Sequence, residues 1–236
     1  MADDGKRRWK GPKGKPRSSS GRQLGPRRTV AHNAASESSR RWIERQLADP
    51  YVRDAKAAGY RSRAAFKLLE IDEKANLLRP GQRVVDLGCA PGGWLQVALE
   101  KKAREVVGID LLAVDPMAGA HIVEGDINSP EDVARMMAGL TGPPDLVLSD
   151  MAANTTGHKP TDHLRTVALV EMALEFALEH LAPGGGFVSK VFQGGATRDV
   201  LGTLKTRFET VRHVKPPASR AGSPEIYVIG RGFRGG

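Results

Sequence analysis

Cysteine occurs once in the 236 residues, at Cys89. A disulfide framework and a cysteine-rich zinc site are therefore excluded, and a reducing compartment, the cytoplasm, is the simplest reading. Aromatic residues make up only 5% of the chain, so its core must be built from Val, Leu, Ile and Ala. No run approaches the ~18 uninterrupted apolar residues of a membrane-spanning helix, so no membrane partner is expected. The opening segment MADDGKRRWKGPKGK lacks the apolar stretch of a secretory signal. The histidines, His32, His121, His158, His163, His180 and His213, show no zinc-site spacing, so no metal is expected.

Charge is plentiful but unevenly placed. Residues 1–45 hold 13 Lys/Arg against 4 Asp/Glu, whereas residues 46–236 hold 23 of each, so the net +9 lies wholly in the first fifth. That fifth is rich in Gly, Pro, Ser and Arg and has few apolar residues before Trp42 and Ile43. It cannot bury enough apolar surface to offset its ordering entropy, so residues 1–36 are expected to form a disordered basic arm suited to a polyanion such as RNA. A folded domain is expected over 37–230, with a flexible end over 231–236.

From residue 83 onward, short apolar runs recur at Arg83–Leu87, Glu105–Ile109, His121–Val123, Asp145–Leu148, Gly186 onward and Ile226–Ile229. They are apolar throughout, the pattern of strands buried on both faces. Helical spacing lies between them, most clearly at Val167, Val170, Leu174, Ala177 and Leu181, ended by Pro183-Gly184-Gly185-Gly186. Another helix is expected over 63–75. This alternation predicts an α/β fold, a doubly wound, mostly parallel sheet whose ligand crevice lies at the carboxyl ends of the strands.

The first strand runs into Asp86-Leu87-Gly88-Cys89-Ala90-Pro91-Gly92-Gly93-Trp94. Glycines at a strand-to-helix turn let backbone approach a ligand. Their spacing, G-x-x-x-G-G, is not the dinucleotide pattern. Asp110 closes the second strand, where a carboxylate can accept from both hydroxyls of a ribose. Asp126 follows the third strand and is placed to meet an adenine amino group. With no clear phosphate cradle, S-adenosyl-L-methionine fits this set better than a nicotinamide dinucleotide.

The glycine-loop segment resembles the cofactor motif of the FtsJ/RrmJ (RlmE) family of ribose 2'-O-methyltransferases. The likeness extends from Ser39-Arg40-Arg41-Trp42 to Gly230 and includes Tyr60-Arg61-Ser62-Arg63-Ala64-Ala65-Phe66-Lys67-Leu68, Leu148-Ser149-Asp150-Met151-Ala152 and Ser219 to Tyr227. It implies a Rossmann-like class I methyltransferase. It also implies a catalytic tetrad of Lys67, Asp150, Lys190 and Glu225, a cofactor pocket shaped by Gly92 and Trp94, and Asp150 beside the cofactor's cationic sulfonium.

Each tetrad residue is also odd on its own terms. Lys190 interrupts the apolar strand Phe187-Val188-Ser189-Lys190-Val191-Phe192, so it is buried among carboxylates or aimed into the crevice. Asp150 follows a strand's carboxyl end, where a cap is the bland alternative. Lys67 lies between Phe66 and Leu68, and Glu225 starts the last strand. A ribose 2'-hydroxyl must shed its proton as it attacks, which gives Lys190 the role of base or orienting group. Lys67 would favour its neutral form and the two carboxylates its charged form.

The resemblance implies as substrate a uridine ribose in large-subunit ribosomal RNA, presented on the large subunit or a late precursor to a monomeric enzyme. Rival readings are the same chemistry on tRNA or an mRNA cap, and a non-catalytic ribosome-assembly factor that binds RNA. Arg53, Lys56, Arg61 and Arg63 are candidates for holding RNA phosphates. Tyr60 and Phe66 are candidates for base stacking, with core packing the plainer role for Phe66.

Overall fold

The computed structural model describes residues 49–153, 157–193, 198–220 and 222–235, so the arm expected over 1–36 lies outside the described residues. The chain divides into two units, residues 1–60 and 61–236. Within the first, helix α1 (Pro50–Ala57) starts at Asp49, whose carboxylate accepts from the Tyr51 N–H at 3.0 Å. Pro50 at the first helical position loses no hydrogen bond there.

The second unit follows the expected alternation. Helix α2 (Ala64–Ala75) leads to β1 (Arg83–Leu87), α3 (Gly93–Glu100), β2 (Glu105–Asp110), β3 (Ala120–Glu124), α4 (Pro130–Met137) and β4 (Leu146–Ser149). Then come α5 (Lys159–His180), β5 (Gly186–Phe192), α6 (Arg198–Arg207), β6 (Phe208–Val214) and β7 (Glu225–Phe233). The seven strands are ordered β3-β2-β1-β4-β5-β7-β6, with β7 antiparallel to both neighbours and the other pairings parallel. The sheet is therefore doubly wound and mostly parallel, as the apolar runs predict. Its order reverses between β1 and β4, which opens a crevice beyond their carboxyl ends.

Side-chain parity sorts residues between the two faces. Val85, Leu87, Val107, Phe187, Val191 and Val228 join one hydrophobic cluster with Met136 of α4, Leu174 and Ala177 of α5 and Leu204 of α6. Alternation then turns Asp86, Lys190, Glu225 and Tyr227 to the opposite face. There α3 brings Trp94, whose ring lies 5.8 Å from that of Tyr227. Helix α2 ends at Asn76, which takes a left-handed conformation, while the buried Asp72 carboxylate accepts from the N–H groups of Leu77 and Leu78 at 2.8 and 2.7 Å. The chain thereby turns into β1 with its backbone donors satisfied.

The sequence misses β6, because Phe208-Glu209-Thr210-Val211-Arg212-His213-Val214 is polar and mostly exposed, as befits an edge strand. The flexible end expected from Arg231 is also corrected. Strand β7 continues to Phe233, whose ring packs 5.4 Å from that of Phe208 and is 3% exposed.

Candidate active site

The crevice at the β1–β4 reversal is lined by Asp86, Gly88, Cys89, Trp94, Asp150 and neighbouring residues and opens to solvent, with about 260 Å³ of empty space including its mouth. Two glycines of the loop, Gly88 on the crevice wall and Gly92 beside it, are held to their type by the backbone. Gly88 has φ +76°, and a Cβ there would lie 2.5 Å from Met151 Cγ. Gly92 has φ +106°, with Arg61 and Met117 each 3.0 Å from where its Cβ would be. Both positions therefore need the backbone freedom and the small size of glycine. Trp94 Nε1 donates to the Ala64 carbonyl at 2.8 Å, which ties α3 to the start of α2.

Asp110 stands beside this loop. Its two carboxylate oxygens accept from the N–H groups of Ala90 and Leu112 at 2.8 and 2.9 Å. Each oxygen keeps a second lone pair for a ribose hydroxyl. Asp126 follows β3 and turns its Oδ1 to the backbone N–H and side-chain amide of Asn128, both at 2.9 Å.

Whether a cationic, polar ligand suits this crevice is tested by its orphaned atoms. Both oxygens of Asp86 and the hydroxyl of Ser62 are buried without a hydrogen-bond partner among the described residues. A buried group left this way costs about 1–3 kcal/mol, more when charged. Desolvation, reinforced by the carboxylates of Asp150 and Asp110, pushes the Asp86 carboxyl well above its ordinary range. A ligand that brings an ammonium and further donors would relieve both residues. S-adenosyl-L-methionine, with its α-ammonium, sulfonium and ribose hydroxyls, fits this donor set. The sequence signal for Asp86 is an acid inside the otherwise apolar strand Val84-Val85-Asp86-Leu87.

The four tetrad residues converge. Strand register does most of this work. Lys190 on β5 pairs with Tyr227 on β7, Phe192 with Glu225, and Ser189 with Ser149, the residue before Asp150. Lys190 Nζ donates to the Asp150 carbonyl at 2.8 Å and lies 3.2 Å from Asp150 Oδ1. From α2, Lys67 Nζ reaches Glu225 Oε1 at 2.8 Å and Asp150 Oδ2 at 3.4 Å. Lys190 is 7% exposed. Tyr227 is a further member that the sequence reading does not single out, although it lies two residues beyond Glu225 on the same strand face. Its hydroxyl donates to Asp150 Oδ1 at 2.7 Å and lies 3.3 Å from Glu225 Oε1.

Electrostatics follow from this packing. Burial disfavours the Lys67 ammonium, but Asp150 and Glu225 outweigh it and raise its pKa, so Lys67 stays charged. Burial likewise opposes the Asp150 carboxylate, yet Lys190, Lys67 and the Tyr227 hydroxyl hold its carboxyl below the usual range. The phenol of Tyr227 is pushed well up by burial and the two carboxylates, so it acts as a donor.

Two expected phosphate ligands are built into the fold. The guanidinium of Arg61 donates to the carbonyls of Asp115 and Pro116 at 2.6 and 2.8 Å and to Pro91 at 3.3 Å. Arg63 donates to the Ala218 carbonyl. Arg53 and Lys56 belong to the unit of residues 1–60. Phe66 is buried, which fits core packing over base stacking. Among the described residues no cluster suited to a metal ion is present, and no helix is long and apolar enough to cross a membrane. A larger groove of about 850 Å³ runs between α5 and α6, but its rim of Glu171, Glu175, Glu179 and Asp199 repels a polyanion and it contains none of the tetrad.

Comparison with known proteins gives concordant results. The model of the family described as FtsJ-like methyltransferase matches residues 60–233. The chain is 70% identical over 234 residues to ribosomal RNA large subunit methyltransferase E of Hyphomonas neptunium, covering 99% of this chain and 100% of that one. The protein of the same name from Gluconobacter oxydans is 59% identical over 194 residues, covering 82% and 72%. A crystal structure of a ribosomal RNA methyltransferase from Plasmodium falciparum superposes with a TM-score of 0.67 at 33% identity, over 75% of this chain and all of that chain.

Proposed function

The chain belongs to the FtsJ-like methyltransferase family, and on that footing we propose that it is an S-adenosyl-L-methionine-dependent RNA ribose 2'-O-methyltransferase. Its substrate is a uridine ribose of large-subunit ribosomal RNA, within the large subunit or a late precursor. The enzyme acts as a monomer in the cytoplasm, and the basic arm of residues 1–36 helps to hold the RNA. The observation that carries the reading is the meeting of Lys67, Asp150, Lys190 and Glu225 beside a crevice whose Asp86 has no hydrogen-bond partner among the described residues. The names of the relatives support the choice of RNA.

When bound, S-adenosyl-L-methionine supplies an electrophilic methyl group on a cationic sulfonium. Asp110 and Asp126 hold its adenosine, Gly92 and Trp94 shape the wall, and Asp86 receives its ammonium. Lys190 orients the 2'-hydroxyl and takes its proton. Asp150 holds Lys190 through two acceptors, its carbonyl and its carboxylate, and favours positive charge beside it. Lys67 and Glu225 fix Asp150 from the α2 side. Holding the attacking oxygen in line with the methyl group supplies much of the acceleration.

Mapping ribose methylation across total RNA before and after deletion of the gene tests the substrate. Loss of one mark in large-subunit ribosomal RNA is expected. Loss confined to tRNA or to mRNA caps would overturn the choice of RNA.

Asp86→Asn separates stability from binding. The raised carboxyl of Asp86 contributes stability to the ligand-free protein that is complete below its unfolded pKa of about 3.9 and is lost as pH rises through the folded pKa. The ligand-free variant should therefore melt higher than the wild type at pH 8, with the gap closing toward pH 4. Calorimetry should show S-adenosylhomocysteine bound about tenfold more weakly, for want of one charge-assisted hydrogen bond. Unchanged affinity would remove Asp86 from the cofactor site.

A further inference from the structure

Lys67 shares its face of α2 with Arg63, four residues before it, and Glu70, three residues after it. Both neighbours reach one residue in the loop between β6 and β7, Ala218, through the two peptide groups that flank it. Glu70 Oε2 accepts from the Ala218 N–H at 2.5 Å, and Arg63 donates to the Ala218 carbonyl. Ala218 is 1% exposed, so this bracket is shielded from water. The next residue, Ser219, is also buried and donates its hydroxyl to Glu225 Oε1 at 2.8 Å. That same oxygen lies 2.8 Å from Lys67 Nζ.

The contacts close a ring. Helix α2 carries Lys67, Lys67 meets Glu225, Glu225 is held by Ser219, and Ser219 follows the residue that α2 clamps. Further along the helix, Lys74 donates to the Lys215 carbonyl at 3.3 Å, and Lys215 Nζ donates to Ser223 O at 2.7 Å, which fastens the loop's base. We infer that Glu70 and Ser219 are positioning residues for methyl transfer, setting the Glu225 carboxylate against Lys67 through the clamped backbone of Ala218, an inference that rests on the tetrad being catalytic.

The physical need is specific. The terminal torsion of a glutamate is broad, so strand β7 fixes where the Glu225 carboxylate is but not how it is turned. Lys67 must serve two carboxylates at once, at 2.8 and 3.4 Å, and a rotated Glu225 would draw it away from Asp150. The Ser219 hydroxyl, at 2.8 Å, is the shorter of two hydroxyl contacts that limit that freedom, the other being Tyr227 at 3.3 Å from the same oxygen. The turn of the loop is made by backbone, the Ser219 N–H donating to the Pro216 carbonyl at 2.9 Å, and the hydroxyl is left to face Glu225.

The experiment compares full-length wild type, Ser219→Ala, Glu70→Ala and Glu70→Gln on purified large ribosomal subunits that lack the mark. It reads kcat, KM, S-adenosylhomocysteine affinity by calorimetry, and thermal melting. Ser219→Ala should lower kcat about tenfold or more, with KM and affinity within about twofold. Glu70→Ala should do the same. Glu70→Gln, whose amide oxygen still accepts from the Ala218 N–H, should recover most of the loss. The double variant Glu70→Ala/Ser219→Ala should be no worse than about the poorer single, as members of one chain of contacts are not additive. A Ser219→Ala enzyme with wild-type kcat, or one whose loss tracks weakened affinity, overturns the inference, and this arm stands even if Glu70→Ala does not fold. A wild type inactive on every RNA offered would instead overturn the parent reading.

Discussion

Lys190→Ala should lower methyl transfer by about 10²–10⁴-fold, the range that a positioned acid–base group contributes, while still binding S-adenosylmethionine. Lys190 contacts Asp150 twice and is not among the residues lining the glycine-loop crevice, so its loss should leave the crevice wall formed by Asp86, Gly88 and Trp94 in place. Lys190→Arg sharpens the experiment. A guanidinium preserves the positive charge and several donors, but it cannot give up its proton in a protein. If Lys190 only orients the hydroxyl, the Arg variant should retain part of the rate. If it takes the proton, Arg should be as inactive as Ala. Single-turnover rates with calorimetry on the same samples provide the measurement, and near-wild-type turnover of Lys190→Ala would remove this residue from the chemistry.

Asp150→Ala should have the widest consequences. Asp150 is the hub on which Lys67, Lys190 and Tyr227 converge. Its removal leaves Glu225 as the remaining carboxylate of the tetrad for two buried ammonium groups. Breaking a buried pair in this way costs about 3–5 kcal/mol, because an uncompensated charge is left behind. The expected result is a large drop in the urea midpoint at pH 7, together with loss of methyl transfer beyond about 10²-fold. The pH dependence fixes the cause. The lysines and Tyr227 hold the Asp150 carboxyl below its ordinary range against the opposing effect of burial, so its stabilisation is present above the unfolded value of about 3.9 and is lost as pH falls through the folded pKa. The gap between wild type and variant should thus be widest near neutrality and shrink in acid. A gap that stays constant with pH would assign the loss to packing.

Much of the scaffold was legible from composition and periodicity. The unbroken apolar runs predict buried parallel strands, and Pro183-Gly184-Gly185-Gly186 predicts the stop after α5. The glycine loop predicts a crevice where β1 ends, and its positive-φ glycines lie there. Three kinds of information were hidden. Edge strand β6 is polar, so its pairing with β7 leaves no hydrophobic signature. Phe233 looked like part of a glycine-rich tail because its partner, Phe208, is 25 positions earlier in the chain. Convergence of the tetrad was implied by resemblance alone, since the strand order and the β5–β7 register that create it are non-local facts. Tyr227 and Ser219 escaped for the same reason. Each is an ordinary residue type whose role appears once Asp150 and Glu225 stand beside it.

The matched number of ammonium and carboxylate groups in the tetrad has a consequence for the charge balance of turnover. On the proposed mechanism, Lys190 acting as the base would leave the two tetrad acids facing a single cation, one unit of negative charge opposite a donor that carries one positive. On the proposed mechanism, the proton passed to Lys190 would restore neutrality in the tetrad as the spent donor loses its charge. Charge summed over the tetrad and the donor would then be the same before and after the reaction, with no solvent ion needed to compensate a change.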